Sequence, residues 1–295
     1  MDEALVPGVE REATIVRTMD PQAVAACGEQ VPPSDIDFGK TASDYGRYRA
    51  GFPASLFDRL AEFGIGQPGQ RVVDVGTGTG TLARGFAFRG CTVIGIDPAE
   101  ALLQQAQRLD QGTGVQVDYR VATAEATGLP DDFADVYAAG QCWHWFDRDR
   151  AASEASRVLV AGGAIVLCHF DWLPLPGNIV EATERLILEH NPEWRFADGT
   201  GFHPEWARDL AVAGFEGIET FSYDLAVEYT HEAWRGRIRA SAGVAASLPP
   251  DRVAAFDQAH AALLDDDFPD EPLLVPHRVW AILACRPTGE RGRTG

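Results

Sequence analysis

The chain has almost no lysine. Lys40 is the only one beside 24 arginines, and 44 acidic residues against 25 basic ones leave a net charge of −19. Binding to a polyanion depends on clustered cations that displace counterions, so this balance speaks against a nucleic-acid partner. The arginine bias itself reads as codon usage, not mechanism. No apolar run approaches the roughly 20 residues that cross a bilayer. The first residues, with Asp2 and Glu3, carry no basic-then-apolar leader. A soluble chain without a membrane partner is the expectation. The cysteines Cys27, Cys91, Cys142, Cys168 and Cys285 are odd in number, scattered, and without a C-x-x-C pair. That argues against a disulfide framework or a zinc site and favours a reducing cytoplasm. Nor is Gly39-Lys40-Thr41 a phosphate-binding loop, because Ser34 stands where its first glycine belongs.

What the chain does have is a buried-strand pattern running into a glycine turn: Arg71-Val72-Val73-Asp74-Val75-Gly76-Thr77-Gly78-Thr79-Gly80. Val72, Val73 and Val75 are β-branched and suit a parallel strand covered on both faces. Gly76, Gly78 and Gly80 let the backbone bend and approach a ligand with no Cβ in the way. A helix over 82–88 then starts with its free N–H groups facing the bend, which makes the turn a cofactor cradle. The dinucleotide fingerprint G-x-G-x-x-G would put its third glycine where this chain has Thr81, so NAD(P) is disfavoured. A second strand over 91–96 ends at Asp97-Pro98. Asp97 lies 97 − 74 = 23 residues beyond Asp74, near the offset of about 20 at which an acid meets ribose hydroxyls. Each hydrogen bond to such a carboxylate contributes about 1.5–3 kcal/mol, enough to select a ribose-bearing ligand.

Asp74-x-Gly76-x-Gly78-x-Gly80 followed by Gly95-Ile96-Asp97-Pro98 resembles motifs I and II of the class I S-adenosylmethionine-dependent methyltransferases. The resemblance runs in pattern from Phe38 to Arg286, with these two motifs its specific part. It implies an α/β, Rossmann-like fold: a seven-stranded, mostly parallel sheet with an antiparallel last strand, helices on both faces and a helical cap insertion. It implies S-adenosyl-L-methionine as cofactor and S-adenosyl-L-homocysteine as product, held around Asp74, Gly76, Thr77, Gly78, Gly80, Asp97 and Pro98. Residues 123–130 resemble the family's A-E-x-L-P loop, lengthened by Thr127-Gly128, which implies that Ala124 and Glu125 lie over the adenine. Residues 38–49 resemble the opening of small-molecule methyltransferases, in which Tyr45 and Arg49 would close over the methionine end. Spaced i and i+4, the two share a face if helical; the plainer alternative is that they pack the arm onto the domain. Gln141-Cys142-Trp143-His144-Trp145 resembles the Q-x-x-H-W sequence of ubiquinone-biosynthesis and trans-aconitate type methyltransferases. By that resemblance Gln141 meets the cofactor and His144 faces cofactor or substrate.

At 295 residues the chain exceeds the usual single-domain size of about 150, but doubly wound sheets of this length fold as one unit. Residues 1–37 mix Pro7, Pro21, Pro32 and Pro33 with charges and read as a partly flexible arm, able to cross to a neighbour in a homodimer. Residues 38–295 read as one methyltransferase domain. Helical patterns fall at 54–63, 100–109, 151–159, 179–190 and 204–213, and strand patterns at 115–121, 135–139, 164–168, 215–224 and 274–285. Strand alternating with helix means a parallel sheet. Residues 228–272 carry two helical patterns, 231–246 and 251–264, split by Pro249-Pro250, and form the expected cap over an acceptor pocket.

His169 and Asp171 alternate with Phe170 and project to one side of an extended segment. With His144 they are the candidates to orient or deprotonate a substrate. The plainer alternative is a buried histidine bonded to a loop carboxylate for structure. Trp143 and Trp172 are candidate walls of an apolar, cation-tolerant pocket. In the cap, Trp234 and Arg237 offer a flat aromatic and a planar cation to an acidic or heteroaromatic acceptor; alternatively Arg235, Arg237 and Arg239 simply face water. Asp265, Asp266 and Asp267 read as a solvated helix end, since adjacent residues point different ways, and no metal is assigned. The expected function is methyl transfer to a small molecule of natural-product or other secondary metabolism, on O, N or activated C. A non-catalytic protein that holds adenosylmethionine or its product is the alternative, ahead of an NAD(P)-dependent reductase.

Overall fold

The structure, a computed structural model, describes residues 51–289. The arm at 1–37, Tyr45 and Arg49 lie outside that range. Seven strands form one sheet in the order β3-β2-β1-β4-β5-β7-β6. They are β1 Arg71–Val75, β2 Thr92–Asp97, β3 Val117–Val121, β4 Ala134–Gly140, β5 Leu159–Trp172, β6 Glu216–Tyr229 and β7 Leu273–Cys285. The first five pair in parallel, and β7 runs antiparallel to both β5 and β6. This is the class I arrangement. Strand order reverses beside β1, and ligands of open parallel sheets bind beyond the carboxyl ends at such a point.

The helices are α1 Ala54–Glu62, α2 Thr81–Phe88, α3 Glu100–Asp110, α4 Arg148–Val158, α5 Ile179–His190, α6 Trp206–Val212, α7 His231–Arg239 and α8 Pro250–Asp267. Side chains alternate across a strand, so each strand feeds two layers. On one face Val72, Val136 and Val166 pack against Leu56, Phe57 and Leu60 of α1 and Leu82 and Phe86 of α2. On the other, Val73, Tyr137 and Leu167 pack against Ala151, Ala152 and Ala155 of α4 and Trp206 and Leu210 of α6. The small residues of α4 let that helix lie close to the sheet. A third cluster joins Ile187 of α5, Trp234 and Ile238 of α7 and Phe256 and Leu264 of α8 to Tyr229 and Val275, at the outer ends of β6 and β7.

Several boundaries differ from the sequence patterns, and three of them have a clear physical reason. β5 runs on through Trp172 because β7 pairs with it that far, Asp171 opposite Arg278 and Trp172 opposite His277. α4 begins three residues before 151 because the Asp147 carboxylate caps it, accepting from the Arg150 N–H at 3.3 Å. α7 stops at Arg239 instead of reaching 246, and the chain turns through Ser241 to pass Gly243 against α5. A Cβ on Gly243 would come within 2.8 Å of Ile187 and 3.0 Å of Trp194.

Gly85, inside α2, is required by packing: an added Cβ would overlap the Phe57 ring, which meets Phe86 edge-on at 5.3 Å. Gly85→Ala is therefore expected to lower unfolding free energy by about 1–3 kcal/mol in urea titrations, the usual cost of overpacking. The penalty should shrink in a Phe57→Leu background, since the aromatic ring is what the methyl meets.

Candidate active site

The bend after β1 is held by two buried carboxylates. Asp74 accepts from the Thr77 hydroxyl at 2.6 Å and from the Ala83 N–H at 3.0 Å, both on Oδ2; its Oδ1 is buried without a hydrogen-bond partner. Asp97, at the end of β2, accepts from the Gly78 N–H at 2.9 Å and from the Ala99 N–H at 2.8 Å, one on each oxygen. Between them Gly76, Gly78 and Gly80 all have positive φ, at 62°, 54° and 78°, where a side chain is strained. Their surroundings differ. A Cβ on Gly76 would come within 2.7 Å of Cys142 Sγ, and one on Gly80 would overlap the Tyr119 hydroxyl, whereas one on Gly78 would meet nothing within 4 Å. The turn is thus packed from below at its ends and open above its middle.

Burial pushes the Asp74 carboxyl up to about 7 against the Thr77 and Ala83 hydrogen bonds, with the nearby Asp97 adding to the rise. Burial raises Asp97 too, opposed by its bonds to Ala99 and Gly78. A cation brought beside Oδ1 of Asp74 would favour the ionised form of both.

The loops beyond β3 and β4 close the same edge. Ala124 is buried and its carbonyl accepts from the Tyr137 hydroxyl at 2.9 Å. Glu125 accepts from the Asp147 N–H at 3.0 Å, which ties its loop to the start of α4. Gln141 has a left-handed backbone, φ 58°. Its N–H donates to the Cys168 carbonyl at 2.8 Å and its side-chain amide donates to the Phe170 carbonyl, so it clamps the β4 loop to β5. A short 3-10 turn, Trp143–Trp145, follows.

Two tryptophans expected to line an acceptor pocket are buried in the structure. Trp143 is fully buried and its indole N–H donates to Asp209 at 3.2 Å, which fastens the turn to α6. Trp234 is also fully buried, bonded to the Thr183 hydroxyl at 3.1 Å, and forms the centre of the cap's own core. Trp172 and Arg237 are half-buried and meet each other: the guanidinium lies 4.6 Å from the indole ring centre. The Trp172 N–H donates to Glu184 of α5 at 2.7 Å.

The histidines gather at the top of β5. His169 is buried and its Nδ1 lies 3.0 Å from Asp171 Oδ2, which also lies 3.0 Å from His203 Nε2. The His169 and His203 rings are 4.0 Å apart, and His203 stacks on Trp206 at 4.3 Å. Half-buried His144 lies 5.7 Å from His169, ring centre to ring centre. Burial alone would raise Asp171, but the two imidazoles beside it hold it well below the usual carboxylate range. An ionised carboxylate only accepts, so both facing nitrogens carry protons, and the second nitrogen of each ring lies on the far side. The ligand atoms of His169, Asp171 and His203 also lie within 4.8 Å of one another. Two imidazoles and a carboxylate are a donor set that suits a first-row divalent ion. A cation there would have to displace both shared protons. The sequence pattern, from which no metal is assigned, is blind to this trio because His203 lies 32 residues from Asp171.

His277 is the other residue that sequence reasoning missed. It sits in β7 on the same side as Val275, Val279 and Ala281, and it is 1% exposed. A lone imidazole in an alternating apolar row was a usable signal.

Folding keeps Asp74 protonated to a higher pH than an unfolded chain does. Stability from this group is therefore full below about pH 4 and is lost as the pH rises through about 7. Without added ligand, urea midpoints should fall across that window, and Asp74→Asn should flatten most of the fall. A residual slope of the same sign is expected from Asp97.

Comparison with known proteins accords with this geometry. Residues 73–167 match the family model described as a methyltransferase domain. An uncharacterized methyltransferase of Mycobacterium tuberculosis is 33% identical over 133 residues, 45% of this chain and 51% of that one. A ubiquinone biosynthesis O-methyltransferase of Pseudomonas putida is 39% identical over 150 residues, 49% of this chain and 65% of that one. The chain thus spans from about half to just under two thirds of the length of these relatives. In fold, the YcgJ protein of Bacillus subtilis superposes with a TM-score of 0.52 at 21% identity, covering 80% of this chain and 98% of that one. The glycine bend, β2, β4 and most of β5 all fall inside the span, residues 73–167, that matches the methyltransferase-domain model, and that span is set in a sheet of class I strand order that continues through β7.

Proposed function

We propose that this chain transfers a methyl group from S-adenosylmethionine to a small-molecule acceptor. The observation that carries this reading is the pair of buried carboxylates flanking the open middle of the glycine bend. Oδ1 of Asp74 is an acceptor without a partner, suited to the α-ammonium of the cofactor's amino-acid end. Each Asp97 oxygen bonds one main-chain N–H, and a carboxylate oxygen accepts more than one hydrogen bond, so capacity is left for ribose hydroxyls. Gly78 leaves room for the ligand's approach.

When bound, the sulfonium supplies an already activated methyl for in-line displacement. What this chain's residues must do is hold the acceptor in line, which is worth roughly 7–11 kcal/mol in favourable cases, and take up a proton where the acceptor has one to lose. His144 and His169 are the proposed proton acceptors at the edge between β4 and β5. Asp171 acts on His169 as an orienting carboxylate, fixing which ring nitrogen is basic. The acceptor reading extends to O, N or activated carbon of a secondary metabolite.

Calorimetry with S-adenosylhomocysteine tests the cofactor half. Wild-type protein should bind it, and Asp97→Ala should weaken binding at least tenfold, as the loss of a charged hydrogen bond of about 1.5–3 kcal/mol implies. Absence of heat with both donor and product sinks the reading. His144→Ala should leave that binding within about tenfold yet lower methyl transfer from labelled donor by about 10²-fold or more, the contribution of a general base. Equal losses in both would assign His144 to the cofactor, and no loss would make it structural.

A further inference from the structure

α7 carries three arginines at alternate positions, and the fold treats them differently. Arg235 and Arg239, one turn apart, both bond Asp257 of α8, at 3.2 Å and 2.7 Å, and both approach Glu232. Arg237 points away from that network onto the sheet, over Trp172. Among the described residues no carboxylate lies within 4.0 Å of its guanidinium; it hydrogen-bonds Tyr229, and the charge of Asp171 also acts on it. Burial lowers its pKa, which records the cost of desolvating the charge. A half-buried cation with an aromatic floor and no carboxylate in direct contact favours an incoming anion.

His277 supplies an independent observation. It stands directly opposite Trp172 in the ladder between β5 and β7, so the two side chains share a face. Its Nδ1 lies 3.0 Å from the Val275 carbonyl. A carbonyl only accepts, so Nδ1 carries the proton and Nε2 holds the lone pair. That Nε2 is buried and has no hydrogen-bond partner. Phe170 and Tyr229 flank the ring at 4.9 Å and 6.0 Å. Burial pushes the imidazole down to about 4, which leaves it a neutral acceptor near neutral pH.

We propose that Arg237 and His277 form the anion-binding end of the acceptor site, so that the acceptor carries a carboxylate or phosphate with a hydroxyl or N–H donor beside it. The guanidinium takes the anionic oxygens, and Nε2 of His277 accepts the neighbouring hydrogen. Hydroxy acids, amino acids and hydrogen-phosphate monoesters have this chemistry; neutral aromatics lack it. Position adds a length. The level of Gly140 and Cys168, beside the cofactor bend, and the level of Trp172 and His277 are separated by four residues of β5, roughly 13 Å of extended strand. The methyl-accepting atom therefore lies on the order of 10 Å from the anionic group. This deepens the methyl-transfer reading and rests on it for which end of the molecule reacts.

The test uses full-length protein saturated with S-adenosylhomocysteine and four probes by calorimetry: 3-phenyllactate, its amide, 3-phenylpropionate and phenyl phosphate. Wild-type protein should bind phenyllactate at least tenfold more tightly than the amide, which reports Arg237, and severalfold more tightly than phenylpropionate, which reports His277. Arg237→Gln should abolish the first preference and His277→Phe the second, with both variants keeping wild-type affinity for S-adenosylhomocysteine as evidence of an intact fold. Phenyl phosphate distinguishes a phosphate-selective site from a carboxylate-selective one. Binding of acid and amide alike, acid binding indifferent to Arg237→Gln, or no binding of any anionic probe overturns the proposal. Failure of S-adenosylhomocysteine itself to bind instead overturns the methyl-transfer reading, whatever the acids do.

Discussion

The structure depends first on how the backbone is bent after β1. Three glycines in the left-handed region would be a loose hinge on their own, because glycine has the most conformational freedom to lose. Here the bend is tied at both ends by carboxylates with little access to water: Asp74 grips Thr77 and the start of α2, and Asp97 reaches from the next strand to the N–H of Gly78. Both groups are raised by burial, so the main chain is held by acids kept at an energetic cost. A cationic ligand group can offset that cost.

A second layer follows from the extra length of β5 and β7. Paired through Trp172 and His277, and with β6 continuing along β7, they raise a wall beyond the parallel core and carry polar residues on both faces. His169 and Asp171 join His203 on the side of α6, whereas Trp172 and His277 lie under α7. Alternation along one strand thus separates a hydrogen-bonded imidazole pair from an apolar floor with a cation above it. The two groups share a backbone and have different chemistry, one with its carboxylate already engaged and one with polar atoms still to be matched.

The cap is self-supporting in the same sense. Trp234, Ile238, Phe256 and Leu264 make a core of their own, and Asp257 and Glu232 neutralise the outward arginines. Arg237 alone of the three arginines of α7 is turned toward the sheet, over Trp172. Helical spacing fixes that geometry: Arg235 and Arg239 share a face, and a residue midway between them faces elsewhere.

Much of this was legible in the order of residues. The valines of β1, the glycines, the two acids and the alternation of strand and helix are local signals, because period and backbone preference act within a few residues. They determined the sheet, the cofactor bend and a two-helix insertion before β7. What only the tertiary structure decided are matters of partnership. Trp143 and Trp234 look like pocket walls until packing buries them, and β5 looks short until β7 supplies its upper hydrogen bonds. Three arginines on one helix are equivalent until α8 neutralises two of them. His203 and His277 acquire meaning only from groups distant in sequence, and no local pattern encodes which buried atom will be left without a mate.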